Sequence, residues 1–343
     1  RSMQDSFDSS SNGFSNNDNH DLLMLALPHH REVLPTKMFL DTLDITFHCI
    51  KGSMTPVVGN IWSYDESLTN VEFDSVDSLQ MVANMDNNTR DTILNQVKQD
   101  LTQVLPSLQE DVYGFGKQAA RLAQLAHIAS LLQAKPSTTK SDKVNYTDVY
   151  EPSDSLCVEA GKLLHGYLTK FLSGENTDKL VYDRNFGGII SHNGLLNKQE
   201  DFGNGWYNDH HFHYGYLLYA SAIMARIDPM FVSNYGSHVD AILYDVLYSP
   251  EYQSDMQFFP LVRHKSWFDG HSFASGLFPF SDGKSQESSS EAVNCYYGAY
   301  LWSLMRGGLD GERQKNFAKL LLAMEIRGAK TYWHMAPPSE SND

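Results

Sequence analysis

The chain has 343 residues, 41% of them hydrophobic and 12% aromatic, with a formal net charge of −16. That length and apolar content suit a large core in one domain or two. The acidic balance argues against nucleic acid or an anionic membrane surface as partner, since both need a basic patch, and no apolar run approaches the ~18 residues of a membrane span.

Residues 1–21 form a Ser/Asn/Asp tract that reads as disordered or loop and lacks the apolar segment of a signal peptide. So abrupt a start suggests a fragment or a processed chain. Short strand-like stretches follow: LLMLAL (22–27), TFHCI (46–50) and TPVVGNIWSY (55–64), with Pro and Gly between them. Cys49 opens a set of three cysteines with Cys157 and Cys295. No C-x-x-C spacing occurs, so neither a zinc ribbon nor a redox pair is expected, and three buried thiols fit as well as one disulfide.

From about Thr92 the period becomes helical. The helical stretches are 91–105, 116–134, 153–172, 209–227, 230–248, 285–306 and 311–327. Those at 210–227 and 291–305 are apolar almost all round, as in helices buried on every side. Residues 180–208 and 257–285, rich in Gly, Asp, His, Trp and Phe, read as long structured loops, the kind that carry function. Asn87-Asn88-Thr89 and Asn145-Tyr146-Thr147 are glycosylation sequons, which fit a secreted protein.

The stretch YNDHHFHYGY (207–216) holds three histidines and an aspartate in front of an apolar helix. A metal site would need His210, His211 and His213 to converge. On a helix His211 points about 100° away from the other two, and no H-E-x-x-H pattern is present. Asp209 reads either as the N-cap of the helix or as a catalytic acid, two roles that are compatible.

In SDGKSQESSSEAVNCYYG (281–298), Glu287 and Glu291 are four apart, so one helical turn would put both carboxyls on one face. A capping box at Ser288-x-x-Glu291 accounts for Glu291 and leaves Glu287 unexplained. Like charges in a partly dry groove raise one another's pKa, which suits acid–base work near neutral pH. Three carboxylates on two helices, with aromatic-rich loops beside them, suggest glycoside hydrolysis.

The chain resembles glycoside hydrolase family 81, the endo-β-1,3-glucanases. The resemblance runs through LLMLALPHH (22–30), KGSMTPVVGNIW (51–62), YGFGKQAARLAQLAHIA (113–129), LVYDRNFGGIIS (180–191), DFGNGWYNDHHFHYGY (201–216), WFDGHSFASGLFPFSDGKSQESSSEAVNCYYG (267–298) and EIRGAKTYWHM (325–335). It implies a mainly α fold, with an (α/α)6-barrel-type catalytic domain over 111–343, a small linking region at 77–110 and a β-sandwich remnant at 1–76. About seven helices are legible where twelve would close the barrel, so the chain is expected to lack parts of the family fold at both ends.

The same resemblance implies inverting endo-hydrolysis of β-1,3-glucan without cofactor or metal. Asp209 would be the general acid. Glu287 or Glu291 would activate water, with Glu287 the leading choice. Tyr113, Lys117, His213, Asp269, His271, Asp282 and Lys284 would line the glucan cleft. A monomer, secreted or held in a cell wall, is expected. The alternative is a glucan-binding or elicitor-recognition protein on the same scaffold that does not cleave.

Overall fold

The computed structural model describes residues 22–34, 45–59, 61–68, 71–103, 111–133, 155–251, 258–281 and 283–335. The chain divides into two compact units, Arg1–Glu66 and Ser67–Asp343.

In the first unit, β1 (Leu22–Ala26), a single helical turn α1 (Pro28–Arg31), β2 (Phe47–Cys49) and β3 (Gly52–Gly59) follow one another. The strands form an antiparallel sheet in the order β1-β3-β2, with Leu22 opposite Gly59, Ala26 opposite Thr55 and Phe47 opposite Met54. Pro56 has no N–H to give a ladder. It is tolerated in this central strand because β2 pairs only as far as Met54. Ala26, Leu34 and Val57 make a small core, covered by Met24, Trp62 and Tyr64. Cys49 is exposed rather than buried, and all three cysteines are unpaired.

The second unit is mainly helical. Its elements are α2 (Val76–Ala83), α3 (Asn87–Thr102), α4 (Val112–Gln133), α5 (Ser155–Leu172), the hairpin β4 (Leu180–Asp183)–β5 (Gly188–Ser191), α6 (His192–Leu196), α7 (His210–Ile227), α8 (Met230–Val246), α9 (Ser289–Arg306) and α10 (Gly308–Tyr332). A 3-10 helix spans Asp201–Trp206. The boundary at Glu66 falls ten residues before the expected 76. Residues 77–110 carry α3, whose Val97 and Leu101 join the same core as the later helices.

Two expectations need correction. Residues 180–208 are not one loop: the stretch LVYDRNFGGIIS pairs with itself as β4–β5, and α6 starts where Ser191 accepts the Gly194 amide. Helix α2, with no buried residue, went unread because its eight residues are fewer than the window in which a helical period shows. Its start is fixed by Ser75, which accepts the Ser78 amide.

Helices α4, α7 and α9 lie side by side and run the same way. Residues advance together along both contacts: Tyr113 meets His213 and His127 meets Arg226 across α4 and α7, while Gly215 meets Cys295 and Tyr219 meets Gly298 across α7 and α9. The approach at Gly215 is so close that an added Cβ would stand 2.7 Å from the Cα of Cys295. Helices α5, α8 and α10 pack against α4, α7 and α9 respectively. Phe115 is stacked between Tyr167 and Phe171, at 4.3 and 4.4 Å. Helix α7 is buried almost all round, as its composition led us to expect.

Candidate active site

Because α4, α7 and α9 are parallel, their N-terminal turns come together at one end. They bring Tyr113 and Lys117, then Asp209, His213 and Tyr216, then Glu291. Tyr113 packs its ring on His213 at 4.8 Å, on Phe202 at 5.4 Å and on Tyr216 at 6.1 Å, and its hydroxyl accepts from Lys117 Nζ at 3.2 Å.

Asp209 occupies the N-cap position of α7 but does not cap it. Its φ of 60° is left-handed, and its side chain makes no cap hydrogen bond. Its amide donates to the Ala274 carbonyl at 3.0 Å. Asn208 Oδ1 accepts the Gly276 amide, and the Leu277 amide donates to the Trp206 carbonyl. The 272–277 segment therefore clamps residues 206–209 and holds Asp209 in its backbone conformation. Among the described residues the non-glycine positive φ angles fall at Asp201, Phe202, Tyr207, Asp209 and Glu287. Such strain persists only where the surroundings over-determine it, and it gathers at functional sites.

The Asp209 carboxyl is buried and its Oδ1 has no hydrogen-bond partner. Burial first, then the charges of Glu287 and Glu291, push it up to about 7. The expectation that Glu287 and Glu291 share a helical face is overturned. Helix α9 begins at Ser289 because Ser288 Oγ accepts the Glu291 amide. Glu287 stands before that cap with a φ of 65° and is exposed. Only the backbone half of the capping box forms there. The Glu291 carboxyl turns instead to Tyr216, whose hydroxyl donates to Oε1 at 2.9 Å.

The three histidines diverge. His210 is tied by Nδ1 to Asp245 Oδ2 at 2.7 Å and by Nε2 to the Asn204 carbonyl at 2.9 Å. Asp245 also accepts the Ile189 amide and pairs with Arg263, so His210 anchors the first turn of α7 to α8 and β5. His211 is fully buried and stacks on His264 at 4.2 Å. His213 alone joins the carboxylate end. Its burial, then the neighbouring His210, push it down to about 3, so it is neutral. Among the described residues no three His, Cys, Asp or Glu side chains are grouped to hold a metal ion.

The remaining expected cleft residues are spread along the 264–285 segment. Asp269 closes a turn on Ser266, Oδ2 accepting from Oγ at 2.7 Å. His271 is buried, edge-on to Trp333 at 4.9 Å. Lys284 is exposed, with its ammonium 5.9 Å from the centre of the Phe273 ring. Asp282 lies outside the described residues. A buried ion pair, Lys265 with Glu325 at 2.8 Å, fixes this segment to α10, and Glu325 also accepts from the Ser272 amide and hydroxyl.

Sequence reasoning missed Tyr216 and Phe202. Tyr216 was within reach, since it stands seven residues after Asp209 and three after His213 on one face of α7. Phe202 carried no such signal. It comes to Tyr113 and His213 only through the left-handed turn at 201–203.

The family model described as the glycosyl hydrolase family 81 C-terminal domain matches residues 81–343, and its N-terminal counterpart matches residues 4–78. A glucan endo-1,3-beta-D-glucosidase from Glycine max is 30% identical over 93% of this chain, which spans 44% of that protein's length. Glucan endo-1,3-beta-D-glucosidase 2 of Saccharomyces cerevisiae is 30% identical over 83% of this chain and 35% of its own. A primary septum glucan endo-1,3-beta-D-glucosidase of Schizosaccharomyces pombe is 34% identical over 53% of the chain. Among solved structures, a mutant of the family 81 glycoside hydrolase from Clostridium thermocellum superposes with a TM-score of 0.65 at 24% identity, over 94% of this chain and 40% of that one.

Proposed function

Because this chain belongs to glycoside hydrolase family 81, we propose that it hydrolyses internal β-1,3-glucosidic linkages of β-1,3-glucan by an inverting acid–base mechanism. The observation that carries the reading is Asp209. It is a buried carboxyl excused from helix capping, pushed up to about 7 and flanked by two glutamates. At neutral pH such a group retains enough of its proton to give it to a leaving glycosidic oxygen. Glu287 is the base that draws a proton from water on the opposite face of the sugar, and Glu291 holds that water. Inversion requires room for the water, a carboxyl separation of roughly 6.5–9.5 Å.

Tyr113, Phe202 and His213 offer the sugar an aromatic wall beside the acid. Neutral His213 and Lys117 supply polar contacts for its hydroxyls. Asp269, His271, Asp282 and Lys284 are assigned to more distant parts of the cleft. The inner helices α4, α7 and α9 with their outer partners α5, α8 and α10 are read as part of an (α/α)6 barrel, and the three-stranded sheet as part of a β-sandwich. No helix among the described residues is long and apolar enough to cross a membrane. Secretion or retention in a cell wall is proposed, with exposed Asn87 available for glycosylation. A monomer is proposed as the working state.

The deciding experiment is release of reducing ends from linear β-1,3-glucan by this chain and by Asp209→Asn, each with and without chelator. The anomer of the first product is followed by NMR. Activity lost only in the variant, with inverted product, supports the reading. Binding of laminari-oligosaccharides without new reducing ends would replace it with a binding protein on the same scaffold.

A further inference from the structure

A carboxyl that the mechanism above does not use lies at Asp201. It opens the 3-10 helix Asp201–Trp206, and residues 201, 202 and 203 have φ angles of 50°, 58° and 82°. Three left-handed residues in succession, one of them a phenylalanine, survive only where their neighbours hold them. The turn sets the exposed Phe202 ring against Tyr113 at 5.4 Å and His213 at 5.7 Å. Both Asp201 carboxyl oxygens are shut off from solvent, and neither finds a hydrogen-bond partner of good geometry among the described residues. The Ser191 hydroxyl and the Val112 amide favour its charge, whereas Asp111 and Asp178 oppose it. The Tyr214 phenol and, beside Asp178, His192 complete these surroundings. On the same loop, the Lys198 ammonium donates to the Gly205 carbonyl.

The hydrogens available at Ser191 decide what Asp201 can do. Ser191 Oγ accepts the Gly194 amide at 3.0 Å and has one hydrogen to give. Two carboxyls draw on that hydrogen, Asp178 and Asp201. Asp178 also accepts the Asn193 amide at 2.8 Å, so its charge is served. Were Asp201 charged too, one hydroxyl would have to serve two carboxylates, with Asp111 adding its repulsion. A proton on Asp201 removes the conflict. Its O–H donates to Ser191 Oγ, and the Ser191 hydrogen goes to Asp178.

Resting on the reading of Phe202 as part of the glucan-binding wall, we propose that Asp201 is a positioning residue that acts through Phe202. By donating to Ser191 it pins the left-handed turn and holds the ring where the sugar chain passes. When Asp201 ionises, that hydrogen bond is lost and Asp111 and Asp178 repel the carboxylate, so the turn carries Phe202 off Tyr113. Burial first, then the two aspartates, put the midpoint at about 7. Grip on the substrate is thereby tied to pH through a group that never touches the reacting bond.

The test is made in Asp209→Asn, which removes turnover and the other carboxyl that titrates near neutrality. In that background the Kd of a laminari-oligosaccharide, measured by calorimetry, should rise roughly 3- to 10-fold from about pH 6 to about pH 8.5, the worth of one aromatic contact. Adding Asp201→Asn, which keeps the shape and the donor of the neutral carboxyl and cannot ionise, should hold the rise below about two-fold. Adding Phe202→Ala instead should give the weaker binding at every pH. A Kd that stays within about two-fold in Asp209→Asn, or a rise that survives Asp201→Asn, overturns the inference.

A second readout needs no sugar. The Phe202 ring resonance, identified by its absence from Phe202→Ala, should shift with pH in Asp209→Asn and stay in place once Asp201→Asn is added. A ring that ignores pH overturns the inference whatever is bound. A ring that moves while no oligosaccharide binds at any pH removes the glucan reading and leaves the hold of Asp201 on Phe202 standing.

Discussion

Asp209, at the start of α7, and Asp245, which holds His210 of the first turn of α7 from α8, are both buried, and the fold treats them in opposite ways. Burial alone would raise both. Around Asp245 it is outweighed by Arg263, His210 and the Ile189 amide, which hold the carboxyl below its usual range. Around Asp209 no cationic group among the described residues answers the burial, and Glu287 and Glu291 add to it, so the carboxyl climbs to about 7. One aspartate is fully partnered and anchors the helix. The other is left short of partners, as its proposed role as proton donor requires. A fold that can satisfy a buried carboxylate at one position and withhold satisfaction at the next separates support from chemistry.

The largest effect that would break this contrast is on activity. Asp209→Asn should lower hydrolysis of β-1,3-glucan by about 10²- to 10⁴-fold, the usual contribution of a general acid, with no fall in the melting temperature. A variant within ten-fold of wild type would remove Asp209 from the chemistry. Next comes Asp245→Asn, which strands Arg263 and should cost about 3–5 kcal/mol in urea unfolding at pH 7, as when a buried pair loses one member. A loss under about 1 kcal/mol would mean that the anchor is not one.

The smaller effects sharpen the comparison through pH. A carboxyl whose pKa is raised by folding penalises the fold only once it ionises. The penalty is absent below the unfolded value near 4 and complete above about 7. Asp209→Asn should therefore gain about 1–3 kcal/mol at pH 8 and close to nothing at pH 4, as measured by denaturant midpoints. Asp245, lowered by folding, works in the other sense. It stabilises above the unfolded value and loses that contribution as pH falls through the folded one. The smallest effect belongs to Glu287→Gln. Removing that charge should bring the Asp209 carboxyl down by less than about one pH unit, as followed by 13C NMR. No movement would place Glu287 too far away to act with Asp209.

Much of the site was legible because the sequence concentrates it. Asp209 and His213 fall within five residues, and Glu287 and Glu291 within another five. The apolar stretches after each pair announced helices buried on all sides, and α7 is one. Helical spacing misled at Glu287, because the Ser288 cap stops the helix one residue short of it, and a single positive φ cancels the i, i+4 rule. At residues 180–191 the loop reading failed because the Gly and Asp content outweighed the short apolar runs LVY and II, which pair across a turn as a hairpin.

By itself, the sequence determined which groups are available: the residue types, their spacing along each helix and the apolar faces that must be buried. Those follow from covalent order and the 3.6-residue turn, which are local. Only the tertiary structure decided their state. Tyr216 meets Glu291 because Gly116, Gly215 and Gly298 let three helices approach closely and in parallel. The Asp209 carboxyl is pushed up to about 7 because of what lies around it, not because of what precedes it in the chain. Burial and charge proximity are sums over residues distant in sequence, 78 positions from Asp209 to Glu287 alone, and they come into being only when the helices pack.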